Sequence, residues 1–280
     1  MVKFYSSTDT YSYPFPAVTL AYFLRYPNPY STHVLSTDTI ARHFDPETQR
    51  LTTVRLHLKR SKLPSGIQKL LPRSLLGASA GGDTQSFILE KSVVDIKEGW
   101  MDTESRNLEW TGVLSVVERQ MFKRPVPAVP DEVKTFTGME GAARRHGFIN
   151  FTGNGVGAKV EDNGETTEVT SSVTLHSHIG ETWKKKRQAA AEGASEDEQP
   201  QKVGFLRSWG TQTLQRNIEK IGMTRTLRSQ PNAREGMKVV LERMRDGGLV
   251  GVLEGMRQDR EAILAGRNLL KEESRPADDE

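Results

Sequence analysis

The segment QRLTTVRLHLKRS, residues 49–61, decides the fold class. Its apolar side chains fall on every second residue, at Val54, Leu56 and Leu58. The alternate positions carry polar or cationic side chains, namely Thr53, Arg55, His57 and Lys59. Because the side chains of a strand point alternately to its two faces, the segment predicts a strand with one apolar and one cationic face.

Similar alternating or β-branched runs lie on both sides of this strand. They cover residues 3–14, 32–43, 84–95, 100–110 and 112–123, with weaker candidates at 146–153 and 167–179. Strands that follow one another through short connections pair as antiparallel neighbours. The sequence therefore predicts one antiparallel sheet.

Helical signals occur at both ends of the chain. Pro16 favours a helix start and predicts a helix to about Arg25, after which Pro27 and Pro29 prevent its continuation. From residue 203 the apolar period becomes 3.6. Three helical runs are expected there. The first has Leu214, Ile218 and Ile221 on one stripe. The second has Met237, Val240, Leu241 and Met244 in register and stops at Gly247-Gly248, and the third covers 256–273. Strands followed by helices indicate an α+β fold.

Composition limits the function classes. A chain of 280 residues with 35% apolar content can bury a core, and no run approaches the roughly 20 apolar residues of a membrane-spanning helix. The start shows neither an apolar signal core nor an Arg-rich presequence, so we expect a soluble protein. The absence of cysteine excludes disulfides and thiolate metal sites. A net charge of +3 is too small for a dedicated nucleic-acid-binding protein.

One segment resembles a known family. The string RYPNPYS at 25–31, followed by HVLS at 33–36, is similar to the opening of the PRELI-like phospholipid transfer proteins of the mitochondrial intermembrane space. Further matches extend the resemblance over about residues 1–245: Thr52 to Pro64, Ser92 to Asp95, Arg106 to Leu108, Thr111-Gly112, Trp209 and Asn217. The RYPNPY form looks like the phosphatidic-acid branch of that family.

The resemblance implies a fold and a function. It implies a strongly curved, seven-stranded antiparallel sheet closed by helices around a lipid cavity, as in the START and phosphatidylinositol-transfer folds. The implied activity is transfer of phosphatidic acid between the outer and inner mitochondrial membranes, which supports cardiolipin synthesis, with phosphatidylserine as the alternative cargo. No catalytic centre and no cofactor are expected. The implied partners are a small helical twin-cysteine-motif protein and, peripherally, an anionic membrane surface.

The resemblance also implies the lipid contacts. Tyr26, Lys59 and Asn217 fall at the family's headgroup positions, with Arg25, Arg55 and Lys62 as supporting charges. Two acyl chains need a deep apolar cavity, while the phosphate needs cationic donors, because a buried charge without partners is costly. The family often has a basic residue where Thr213 stands, so Arg216 or Lys220 replaces it or headgroup affinity differs.

The loop 63–82 corresponds to the family's lid. Its apolar residues would enter the membrane interface, and the lid residues are Leu63, Ile67, Leu70 and Leu71. Family lids often carry a Trp after the Lys-Leu-Pro step, whereas this chain has Ser65-Gly66-Ile67. Without that aromatic anchor, docking would depend more on basic residues.

Other functions remain as alternatives. Thr213, the lid without Trp and the insertions at about 125–165 and 184–202 suit a regulatory member of the fold that does not transfer lipid. Gly77 to Gly81 matches a nucleophile elbow with Ser79, but the order strand, turn, helix is missing. Without a third ligand, His176 and His178 indicate a surface pair rather than a metal site. We expect a lipid-transfer domain over 1–247 and a charged helical tail over 248–280.

Overall fold

The computed structural model describes residues 2–62, 83–109, 111, 114–124, 164–178 and 204–267, without the side chains of 61, 62, 83, 84, 204–215 and 217. Within these ranges the strands are β1 (Val2–Tyr11), β2 (Val34–Asp45), β3 (Arg50–Lys62), β4 (Asp83–Asp95), β5 (Trp100–Asn107), β6 (Leu114–Lys123) and β7 (Thr167–Ser177). Two helices accompany them, α1 (Phe15–Phe23) and α2 (Gly204–Leu264). The weak strand candidate at 146–153, most of the first insertion and all of the second lie outside the described residues.

All seven strands belong to one antiparallel sheet, as predicted. Their order is β1-β7-β6-β5-β4-β3-β2, so β2 to β7 follow one another and β1 joins next to β7. The first and last strands of this order do not pair with each other, so the sheet is open. Both helices pack on the same side of it, which we call the inner face.

The first helix shows how the sequence sets up the inner face. Pro16 lies in the first turn of α1, where its missing N–H is not needed. One side of the helix is buried against the sheet, and it carries Ala17, Val18, Ala21 and Tyr22. The helix ends at Phe23, and a short 3-10 turn over Pro29–Ser31 leads into β2. The expected helix therefore ends two residues before Arg25.

The second helix differs from the expected pattern of three separate runs. The first two runs form one helix that continues through Pro231, and the break comes at Gly248, whose φ of 62° is favourable for glycine alone. The predicted stripe of Met237, Val240 and Leu241 is buried against the sheet and α1. Tertiary packing therefore overrides the helix-breaking tendency of a single proline.

The segment after Gly248 also packs on the core. Val252 is fully buried within the main apolar cluster, and Asp259 is nearly so. Arg243 donates from Nη1 to Asp259 Oδ2 at 2.6 Å and from Nη2 to Oδ1 at 3.2 Å, which ties the two sides of the break together. None of the helices described here is long and apolar enough to cross a membrane.

Strand β3, from which the fold was predicted, turns its polar face toward the interior. Its polar residues Thr53, Arg55 and His57 are buried on the inner face, with exposed fractions of 0%, 3% and 1%. The apolar residues of the other face are only half-buried. A strand that buries its cations requires compensating charges, because an unpaired buried charge is costly.

Candidate functional site

A cavity of about 240 Å³ lies between the inner face of the sheet and α2. Its wall mixes apolar side chains such as Phe122, Val169 and Met237 with many polar ones. The polar side chains fall into two groups, one around Arg25 and Lys59 and one around Glu118. In the described residues the cavity is thus less apolar than the lipid-filled interior expected from the sequence.

The RYPNPY segment brings Arg25 to the cavity. Arg25 Nη1 donates to the carbonyl oxygen of Tyr22 at 2.7 Å, which caps the end of α1. Asn28 fixes the turn that follows, because its Nδ2 donates to the Arg25 carbonyl at 2.5 Å and its Oδ1 accepts from the Tyr30 amide at 2.8 Å. Only 2% of Asn28 is exposed. Both the capping role and the cavity position considered for Arg25 therefore occur together.

Glu90 on β4 is the centre of a buried ionic network. Its Oε1 accepts from Arg55 Nε at 2.8 Å and from Arg55 Nη2 at 2.5 Å. Its Oε2 accepts from Arg25 Nη2 and, at 2.8 Å, from the hydroxyl of Tyr22. The register of the sheet brings the Arg55 and Glu90 side chains together, because these residues are directly paired across β3 and β4. One carboxylate thus forms ion pairs with two guanidinium groups.

The electrostatics of this network leave an excess of positive charge. Burial alone would raise the pKa of Glu90, but Arg25, His57 and Arg55 hold that pKa well below its usual range. Burial lowers the pKa of His57 below its ordinary value although Glu90 Oε2 lies 3.2 Å from its Nε2. With His57 neutral and Glu90 ionised, the network carries two positive charges and one negative charge at neutral pH.

Lys59 and Tyr26 extend this positive region along the cavity wall. Both line the cavity, and no carboxylate of the described residues forms an ion pair with Lys59. Burial would raise the pKa of Tyr26, but the charges of Arg25 and Lys59 lower it. The Arg25 guanidinium lies 4.6 Å from the centre of the Tyr26 ring, within cation–π range. This end of the cavity is suited to an anion.

The second polar group lies across the cavity. Gln230 on α2 donates from Nε2 to Glu118 Oε1 at 3.0 Å, and Gln120 Nε2 lies 3.5 Å from the same oxygen. Nearby, Arg234 Nη1 donates to Asp9 Oδ1 at 2.5 Å and links α2 to β1. These contacts hold α2 over the sheet and form the far wall of the cavity.

The structure places the predicted contact residues in three different settings. Tyr26, Lys59 and Arg25 line the same cavity. Arg55 pairs with Glu90, and neither of the two lines the cavity. Lys62 and Asn217 belong to β3 and α2, but their side chains are outside the described residues, as are the lid residues Leu63, Ile67, Leu70 and Leu71 and the elbow residue Ser79.

The other sequence candidates lie away from the cavity. Arg216 and Lys220 are exposed on α2 and do not line the described cavity, and the side chain of Thr213 is outside the described residues. The rings of His176 and His178 lie with their centres 4.0 Å apart. No third His, Cys, Asp or Glu joins them as a metal-ligand group in the part of the chain that the structure describes.

The sequence interpretation missed Glu90, the residue that holds the site together. A signal for it exists, because β4 alternates between Ile88, Glu90, Ser92 and Val94 on one face and Leu89, Lys91 and Val93 on the other. A single carboxylate among inward positions, beside a strand with inward cations, predicts a buried ion pair. His33, Tyr30 and Glu118 were also missed as cavity residues.

Comparisons with known proteins agree with the resemblance found in the sequence. Residues 16–151 match the family described as the PRELI-like family. The protein UPS1 of Saccharomyces cerevisiae is 41% identical over 123 residues, which are 44% of this chain and 65% of that protein. PRELI domain-containing protein 1 of Homo sapiens is 30% identical over 122 residues, 44% of this chain and 52% of that protein. Both relatives are named as mitochondrial proteins, in agreement with the expected location.

Two further comparisons concern one more relative and one solved structure. The ups1 homologue of Schizosaccharomyces pombe is 38% identical over 105 residues, 38% of this chain and 55% of that protein. The chain thus spans between about half and 65% of the length of these relatives. Among solved structures, Ara h 8.0201 aligns at a TM-score of 0.30 and 12% identity over 69% of this chain and 94% of that one, which is too weak for any argument. Residues 16–151 are therefore a PRELI-like domain.

Proposed function

We propose that this chain is a phospholipid transfer protein of the mitochondrial intermembrane space, and that its cargo is most of all phosphatidic acid, moved between the outer and inner membranes in support of cardiolipin synthesis. The observation that carries the proposal is the excess positive charge around Arg25 and Lys59 at the cavity wall. Two guanidinium groups, those of Arg25 and Arg55, share the single carboxylate of Glu90. A bound phosphate group would neutralise the positive charge that remains.

Several steps connect this charge to a lipid phosphate. Arg25, Tyr26 and Lys59 come from two different elements and meet at one cavity, where each has a donor group. A phosphate that leaves water needs such donors, and charge-assisted hydrogen bonds are about twice as strong as neutral ones. The positive end of the cavity thus has the chemistry of a headgroup site.

We assign the described cavity to the headgroup because charged and polar side chains make up much of its wall, whereas acyl chains are stabilised by apolar surroundings. We propose the lid 63–82, with Asn217 and Lys62, for the rest of the lipid-binding site.

The proposal includes partners and excludes catalysis. We expect a small helical twin-cysteine-motif protein as the stabilising partner and an anionic membrane surface as the docking site. No enzymatic step is proposed, because a lipid that is only carried between membranes is bound and released unchanged. We assign the lipid-transfer domain to 1–247, and we propose that the charged helical segment that follows, 248–280, adds to this domain, because its Val252 lies in the same core.

The test is lipid transfer between donor and acceptor liposomes. The full chain, co-expressed with the presumed helical partner, is assayed with fluorescent phosphatidic acid and with fluorescent phosphatidylserine. We expect phosphatidic-acid transfer, and we expect Lys59→Glu to reduce it at least tenfold, because a charge-assisted hydrogen bond is replaced by repulsion. Lys91→Glu is the matched control, since Lys91 is exposed on the outer face of β4.

The outcomes separate the alternatives. Transfer of phosphatidylserine alone keeps the mechanism and changes the cargo. Transfer of neither lipid by a folded protein contradicts the proposal and favours the regulatory alternative. If Lys59→Glu and Lys91→Glu transfer equally well with unchanged unfolding midpoints, the headgroup does not bind at Lys59.

A further inference from the structure

The two edge strands of the sheet differ in how well they are protected from pairing with another chain. Strand β2 has two register shifts against β3, and it carries Arg42, His43 and Asp45. Bulges and charged side chains of this kind keep an edge strand from pairing with another chain. Strand β1 pairs with β7 over all its residues, Val2–Tyr11, without a register shift. No strand of the described residues pairs with its other edge.

The composition of β1 also favours pairing. Its sequence, VKFYSSTDTY, contains no proline, and its charged side chains are Lys3 and Asp9 alone. Val2 and Phe4 are 56% and 65% exposed on the outer face. A long, regular edge strand with exposed apolar side chains is a template for the addition of another strand. The open edge of β1 is therefore a candidate interaction surface.

The charges of β1 are complementary to those of a second β1 in one antiparallel register. If Ser6 faces Ser6 of a second copy across a two-fold axis, Lys3 lies opposite Asp9 of that copy, and Asp9 lies opposite its Lys3. Side chains opposite each other in an antiparallel pair share one face, and their Cβ atoms are about 5 Å apart. Lys3 is exposed, and 30% of the Asp9 side chain remains exposed beside Arg234. Two pairs of opposite charges thus form at once.

We propose that two copies of this chain associate through the open edges of β1, which pair antiparallel about a two-fold axis at Ser6. The two sheets then continue into one, and both inner faces lie on the same side of it. Because the axis reverses the strand direction, the Lys59 ends of the two cavities point in opposite directions. A shift by one residue would place inner-face side chains of one copy opposite outer-face side chains of the other, so the charge pairs select this register.

The mass of the full chain in solution tests the association. One pair of strands is a small interface, so sedimentation velocity up to about 100 μM should show a monomer of 31.3 kDa in exchange with a species of twice that mass. Lys3→Glu should weaken the association at least about tenfold, because two attractive pairs become repulsive. Asp9→Lys should do the same, and a mixture of these two variants should associate again, because opposite charges then face each other at both positions. Arg42→Glu is the control on the other edge strand and should leave the mass unchanged.

Cross-linking through cysteine tests the register without any change of charge. The chain contains no cysteine, so Ser6→Cys introduces a single thiol on the outer face of β1. Opposite Cα atoms in an antiparallel pair are about 4.5 to 5.5 Å apart, a distance that a disulfide bridges. Under mild oxidation we expect Ser6→Cys to form a covalent dimer. Thr8→Cys on the same face should not, because the two thiols would be about 13 Å apart along the strands.

Three results would contradict the association through β1. The first is a monomer at every concentration, with no cross-linking of Ser6→Cys. The second is equal cross-linking of Ser6→Cys and Thr8→Cys, which would exclude the register about Ser6. The third is a loss of the dimer in Arg42→Glu but not in Lys3→Glu, which would assign the association to β2. Each of these results leaves the proposed lipid transfer standing.

Discussion

The two ends of the inner face of the sheet contrast in chemistry. At one end, Val94, Met101, Phe122 and Val169 form a directly paired apolar row that is at most 5% exposed and packs against both helices. Four residues away along β4, at a distance of about 13 Å, the row of Arg55, Glu90, Ser105 and Glu118 is polar.

The difference shows how one sheet serves stability and binding together. The apolar row stabilises the fold through burial of apolar surface. Its contribution to the free energy of folding is therefore distributed over many residues. The polar row is satisfied only by specific pairs, and at its Arg55 end these converge on one side chain, Glu90. A change at the polar end is therefore expected to have larger and more localised effects than a change of similar size at the apolar end.

The largest effect is expected at Glu90. Glu90→Gln leaves the buried guanidinium groups of Arg55 and Arg25 without a counter-charge, and breaking a buried ion pair in this way costs about 3 to 5 kcal/mol. The free energy of unfolding in urea measures the loss. The double variant Arg55→Met with Glu90→Gln should recover part of it, because only one cation then lacks a partner. A cost below about 1 kcal/mol for the single variant would contradict the central role of Glu90.

The apolar end should respond through cavity formation. Met101 is completely buried, so Met101→Ala is expected to reduce the free energy of unfolding by about 2 to 5 kcal/mol, with lipid extraction per folded molecule unchanged. Asp102→Ala is the control on the same strand, because Asp102 is exposed on the outer face. If Met101→Ala reduced extraction by the folded protein, the proposed separation of the two ends would be wrong.

A smaller effect is expected where α2 crosses the RYPNPY turn. A Cβ on Gly236 would lie 2.8 Å from Asn28 Oδ1 and 2.9 Å from its Nδ2, and the buried amide cannot move without losing its hydrogen bonds. Gly236→Ala is expected to cost about 1 to 3 kcal/mol in thermal or urea unfolding. On the same helix, a Cβ on Gly247 would meet nothing within 4 Å, so Gly247→Ala should stabilise by up to about 1 kcal/mol.

The smallest effect is a dependence of stability on pH. The pKa of folded His57 lies below its ordinary 6.5, so the unfolded state binds more protons as the pH falls below that value. The contribution of His57 to stability is then complete above about pH 6.5 and declines below it, by at most about 2 kcal/mol at pH 5. His33 adds to the decline over the same range, because burial lowers its pKa to about 4. Glu90 adds to the loss only below about pH 4.5, since its folded pKa is also lowered.

Urea unfolding between pH 7.5 and 5.0 measures this decline. His57→Gln should reduce the decline by about half, because His33, whose pKa burial lowers to about 4, still titrates in the same direction. A side-chain amide at position 57 can still bond the Thr37 hydroxyl that lies 2.9 Å from His57 Nδ1. His43→Gln controls for the loss of an exposed imidazole on β2. Equal slopes in the unaltered protein and His57→Gln would show that the buried imidazole is not the source.

Much of the fold was predictable from local patterns. The alternation at Val54, Leu56 and Leu58 located β3, and the stripe from Met237 to Met244 located the buried side of α2. The helix through Pro231 was not predictable, because its continuity depends on packing against the sheet rather than on local preference. Of the candidate site, Arg25, Tyr26 and Lys59 were named from the resemblance and line one cavity, whereas Glu90 and Glu118 were not named.

The sequence by itself determined the strands, the buried stripe of α2, the break at Gly248 and the family resemblance, because each of these depends on residues that are close along the chain. Only the tertiary structure decided which charges meet. Arg25, Arg55 and Glu90 come from three separate elements, and Glu118 and Gln230 are 112 residues apart. The physical reason is that ion pairing depends on sheet register and helix placement, which are set by the packing of the whole domain and not by neighbours in sequence.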